Sequence, residues 1–117
     1  MASGKLASAR IAFQTSPLVD TFLLYTVPKD VVVTANIRVV NVSKGSGSTS
    51  MGASCSVLIG SGESPGVGDM VGLFVMEPDA MIEITGMVMS PGEKVWVRFE
   101  KSGGVLNVRA YGFEEPI

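Results

Sequence analysis

Histidine is absent from all 117 residues, which removes the commonest general base and the commonest metal-binding side chain. The groups left to do chemistry are carboxylates, hydroxyls and a single thiol. Glu63 with Asp69, and Glu77 with Asp79, come nearest to the paired carboxylates that glycosidase or calcium chemistry uses. Glu77-Pro78-Asp79 equally has the make-up of a solvated turn. Gly60-Ser61-Gly62 and Gly66-Val67-Gly68 invite comparison with phosphate loops. A dinucleotide site needs Gly-x-Gly-x-x-Gly opening a helix, and Pro65 stands where the third glycine belongs. The Gly-Lys-Ser/Thr of a P-loop is missing too. Ser61 has neither a nucleophile-elbow frame nor an imidazole to activate it. The single cysteine, Cys55, lies in the alternating stretch Ala53-Ser54-Cys55-Ser56-Val57-Leu58-Ile59 and reads as a small buried thiol. No internal disulfide is available to it. The sequence thus predicts a protein that is not an enzyme and holds no cofactor and no metal.

Recognition chemistry is better represented. In Lys94-Val95-Trp96-Val97-Arg98-Phe99-Glu100, alternation sends Val95, Val97 and Phe99 inward and Trp96 and Arg98 outward. An outward tryptophan is a frequent interface anchor, burying a large area at little entropic cost. On the following strand Leu106, Val108 and Ala110 form the expected buried side, leaving Tyr111 and Phe113 with the outward set. Leu6, Ile11 and Phe13 are the apolar anchors of an otherwise small and polar opening. These seven residues, Leu6, Ile11, Phe13, Trp96, Arg98, Tyr111 and Phe113, are the candidate protein-interface side chains.

Charged residues make up 17% of the chain, below the usual share of about 25%, so part of the exterior is expected to meet protein rather than water. The net charge is −2 and the nine cations are scattered, whereas a nucleic-acid binder concentrates them. Nucleic acid is not an expected partner. The most apolar window, 70–76, is far too short to span a bilayer, so no membrane role is expected. The apolar run after Lys5 and Arg10 stops at Gln14, which argues against a secretory leader and for synthesis in the cytoplasm.

Positioning these side chains falls to strands. Residues 1–16 read as an extended N-terminal arm whose anchors lie either on its own domain or on a neighbouring subunit. Residues 17–117 read as one antiparallel β domain. A strand over 20–27 meets the turn Pro28-Lys29-Asp30, and the β-branched run over 31–42 is the strongest strand signal in the chain. Val31, Val33, Ala35, Ile37 and Val39 share one face, with Thr34, Asn36 and Arg38 on the other. A polar loop over 43–50 follows, then the Cys55 strand, an irregular loop over 60–69, and strands over 70–76, 81–89, 94–100 and 105–113. Seven or eight short strands with regular turns and no helical period describe an all-β sandwich, the jelly roll being one candidate form. Strand order cannot be read from this pattern.

The chain also resembles a known group. Gly4-Lys5-Leu6-Ala7-Ser8-Ala9, then Tyr25-Thr26-Val27-Pro28, the strand closing on Val39-Val40-Asn41-Val42, Gly92-Glu93-Lys94-Val95-Trp96-Val97-Arg98, and Val108-Arg109-Ala110-Tyr111-Gly112-Phe113-Glu114-Glu115 resemble small single-domain virion proteins of tailed bacteriophages. Many of those carry Cys-Asn-Arg after the second strand where this chain has Val40-Asn41-Val42, so no role of that arginine transfers. The resemblance implies a non-enzymatic structural protein of the virion. Its first expectation is a capsid decoration or cement protein that binds the major capsid protein or other virion proteins as a homo-oligomer, with a trimer favoured. Other expectations are a tail, neck or fibre adaptor and, from the outward aromatics, a host-glycan-binding module.

Overall fold

The β-branched run becomes the centre of the molecule. The computed structural model describes residues 3–15, 17–43, 53–101 and 103–117, so most of the loop expected over 43–50 lies outside the described residues. In chain order the strands are β1 (Ser3–Ala12), β2 (Gln14–Thr15), β3 (Leu18–Val19), β4 (Thr21–Thr26), β5 (Val31–Asn41), β6 (Ala53–Gly60), β7 (Met70–Met76), β8 (Met81–Met89), β9 (Lys94–Phe99) and β10 (Val105–Pro116). A single 3₁₀ turn, Val67–Asp69, precedes β7.

The eight long strands form two antiparallel four-stranded sheets, ordered β1-β10-β5-β8 and β4-β9-β6-β7, with β2 and β3 as a small ladder between β1 and β4. Numbering only the long strands, the orders are 1-8-3-6 and 2-7-4-5. This is the strand order of a jelly roll, a β-sandwich of two Greek keys. On β5, burial alternates as the period-2 pattern requires, with Val33, Ala35, Ile37 and Val39 fully inside. Val57, Val95, Val97 and Phe99 face them from the second sheet. Each such side chain contributes about 1.5–3 kcal/mol relative to exposure, so this interlayer supplies most of the driving force.

Polar pins hold the two layers in register. Asn41 is completely buried at the end of β5; its Nδ2 donates to the Met76 carbonyl of the other sheet at 3.0 Å, and its Oδ1 accepts from Ser43 N–H at 2.9 Å. At the opposite end, the Tyr25 hydroxyl of β4 donates to Glu114 of β10 at 2.6 Å. Gly112 explains the Tyr-Gly-Phe ending of β10, because a Cβ there would run into the Thr34 carbonyl and Ala35 Cα of β5.

The opening stretch is extended and packs on the rest of the chain. Ser3–Ala12 pairs antiparallel with β10, with a bulge between Lys5 and Ala7. Ile11 enters the core, Leu6 packs against it, and Phe13 meets Phe99 edge-on with ring centroids 6.0 Å apart. β1 is therefore the edge strand of the first sheet, and one side of its backbone is already committed to β10.

Candidate interaction faces

Register decides which outward residues become neighbours. On the outer side of the second sheet, Trp96 sits in a cross-strand row between Leu23 of β4 and Leu58 of β6. The tryptophan was expected to stand open, but it is only 4% exposed, and Leu58 beside it is fully buried. Lys94, on the same side, donates to the Gly62 carbonyl at 3.3 Å, tying the 60–69 loop to this end of the face. Trp96 is thus a packing residue of its own chain rather than an open anchor. Arg98, in the next row, pairs with Glu100 at 2.7 Å; the same Glu100 oxygen accepts from the fully buried Ser56 hydroxyl at 2.5 Å. Ser56 and Arg98 hold that carboxyl below its usual range.

Besides Leu23, 53% exposed, what stays open on this face is β7. Val71, Leu73 and Val75 alternate outward and are 42%, 60% and 82% exposed, while Phe74 and Met76 turn inward. β7 is the last strand of its sheet and pairs only with β6, so its outer backbone edge is unclaimed by this sheet. Its seven residues, Met-Val-Gly-Leu-Phe-Val-Met, contain no charge and no proline. Edge strands are ordinarily blunted by charge, proline or a covering element. Among the described residues this one has a bulge at its Leu58 end and no other such feature.

The outer side of the first sheet has the opposite character. Tyr111 lies between Lys5 and Asn36; in the next row Arg109 lies between Ser8 and Arg38. The Tyr111 hydroxyl donates to Glu83 at 2.6 Å, the Arg38 Nε donates to the same oxygen at 3.0 Å, and the Arg38 guanidinium lies 5.5 Å from the centre of the Tyr111 ring. Those two bonds hold the Glu83 carboxyl below its usual range, the tyrosine contributing most. Phe113, 45% exposed, pairs with Thr34, whose other neighbour is the exposed Val88.

The seven candidate residues therefore fall in three places. Leu6, Ile11 and Phe13 belong to the core side, Trp96 and Arg98 to the outside of one sheet, and Tyr111 and Phe113 to the outside of the other. They do not converge. The carboxylate pairs stay in loops: Asp69 accepts from Gly66 N–H at 2.8 Å, Glu77 and Asp79 are exposed, and among the described residues no cluster of three metal-ligating side chains occurs. No described helix is long and apolar enough to cross a membrane.

No family model and no curated protein matches the chain. The faces must therefore be read on their own physics. Sequence reasoning passed over Val71, Leu73 and Val75, although their alternation in an uncharged segment was a usable signal. It also passed over Arg10 and Arg109, for which no local signal existed, since only strand register brings them to Arg38.

Proposed function

We propose that this chain is a non-enzymatic structural protein that works by occupying a place in a larger assembly, most specifically as a phage virion component decorating or cementing the head as an oligomer. The observation that carries the assembly reading is the apolar, uncharged, open edge of β7. An exposed row of Val71, Leu73 and Val75 on an edge strand is an aggregation hazard unless a partner covers it. Repeating one modest contact over many copies makes attachment effectively irreversible through avidity. The jelly roll is used by capsid and lectin domains alike, so the fold supports a surface-recognition module without choosing the station. The virion assignment rests on the sequence resemblance. Among the alternatives, the glycan reading loses its main support, because Trp96 is too enclosed to stack on a sugar.

The expected role of the N-terminal stretch changes accordingly. With one backbone edge and Ile11 taken up by its own domain, β1 offers neighbours its free edge rather than a lacing arm.

Replacing Leu73 with Lys tests the assembly reading. The monomer should keep its stability to within about 0.5 kcal/mol, since the site is open, while incorporation into particles should fall sharply. Copy number then separates stations: hundreds per particle favour the head, six or twelve the tail. Full incorporation of Leu73→Lys, absence of the wild-type protein from finished particles, or turnover of a small molecule by the purified chain would overturn the reading.

A further inference from the structure

The basic outer face of the first sheet lies on the opposite layer from β7. Four of the nine cations, Lys5, Arg10, Arg38 and Arg109, share this face with two carboxylates, Glu83 and, at the far end of β10, Glu115, although the whole chain carries −2. The remainder of the molecule is correspondingly acidic.

Two of these cations are placed at a cost. Arg38 and Arg109 are direct cross-strand partners on β5 and β10, and like charges so placed repel. Arg38 is compensated by Glu83 and by the ring of Tyr111. Neither Arg109 nor Arg10 has an ion-pair or hydrogen-bond partner among the described residues. Arg10 pairs with Asn107, and Arg109 with Ser8, so the two arginines are diagonal neighbours across β1 and β10. Together Ser8, Arg10, Arg38, Val40, Asn107 and Arg109 line a shallow depression of about 490 Å³. Around it stand guanidinium forks suited to oxyanions, a hydroxyl and an amide able to complete their hydrogen bonding, and apolar contacts from Ala9, Val40 and Val108.

Spacing and charge narrow the ligand. Diagonal cross-strand neighbours lie about 7–8 Å apart, close to the roughly 6.7 Å between alternate side chains of an extended strand. A nucleic-acid strand would bring a continuous run of phosphates and needs a long basic track. Here three guanidiniums occupy one patch, flanked by Glu83 on a chain that is otherwise acidic. We propose that this arginine face binds an extended acidic segment of a partner protein, its carboxylates at alternate positions meeting Arg10 and Arg109. Its field would also steer such a partner to the correct side of the sandwich.

The test is fluorescence anisotropy on the full chain with a labelled peptide of alternating glutamate and serine. A peptide with glutamine for glutamate, a single-stranded oligonucleotide and inorganic phosphate serve as competitors. Expected are binding that weakens with salt, no competition by the glutamine peptide, and a loss of about tenfold or more in Arg109→Gln and Arg10→Gln. Lys29→Gln, which removes one charge away from this face, should bind as wild type. Because Arg109→Gln relieves the repulsion with Arg38, its thermal midpoint should equal or exceed the wild-type value, which separates lost binding from lost folding. The proposal is overturned by absence of binding at low salt, by equal loss in Lys29→Gln, or by tighter binding of the oligonucleotide or phosphate than of the acidic peptide.

Discussion

The Ser56 hydroxyl, fully buried in the second sheet, donates to Glu100, and Arg98 completes the cluster from the neighbouring strand. Each bond is made to the charged carboxylate, so the folded chain holds Glu100 below its ordinary value of 4.5, the serine contributing first and Arg98 next. A carboxyl lowered in the folded state stabilises the fold above its unfolded value and ceases to do so as pH falls through the folded one. Ser56→Ala should therefore cost about 1 kcal/mol at neutral pH and make stability less sensitive to acid, read from urea titrations at pH 7 and pH 3. An unchanged difference between those two pH values would show that the bond contributes nothing. The adjacent thiol behaves differently: burial, aided by the charge of Glu100, pushes Cys55 up to about 11, so it stays protonated and inert at neutral pH. Its burial was legible from the alternation of its strand. The burial of Trp96 was not, because alternation places a side chain on a face and is silent about what lies over that face.

At the scale of elements, β1 and β7 are both edges with different fates. β1 is anchored by Ile11, only 6% exposed, which packs on the core with Leu106 and Val108. Ile11→Ala should cost about 2–5 kcal/mol, measured by denaturant unfolding; an unchanged midpoint would show that β1 is a detachable arm. Truncating the stretch would for the same reason strip an edge from β10 as well as remove a contact, so a point substitution is the cleaner probe. β7 has no comparable anchor beyond Phe74 and Met76 among the described residues, and its outer row of Val71, Leu73 and Val75 is exposed. Strand limits were largely legible: 70–76 and 81–89 were read with the bounds the structure shows, because turns rich in glycine, proline and aspartate punctuate them. β10 runs further than its pattern implied, to Pro116, since pairing with β5 as far as Val31 keeps the chain extended after the apolar alternation ends.

For the whole molecule, the first long strand pairs with the last, and among the described long strands every sheet neighbour except β6–β7 joins strands that are not consecutive in the chain. Topologies dominated by such non-local pairing fold in milliseconds to seconds, because loop-closure entropy is lost before contacts compensate for it. Stopped-flow refolding followed by Trp96 fluorescence should fall in that range, the indole being enclosed only once β4, β9 and β6 have assembled. Relaxation in microseconds would contradict this topology. The same long-range pairing divides the surface into an apolar edge on one sheet and a basic face on the other, giving a small sandwich two chemically distinct sides. Period-two alternation and turn residues, both local, were enough for the sequence alone to determine the all-β class, the position of most strands and the inward side of each. Strand order, the meeting of Arg38 with Arg109, and the enclosure of Trp96 were decided only in the tertiary structure, because they depend on pairings between residues far apart in the chain that no local periodicity encodes.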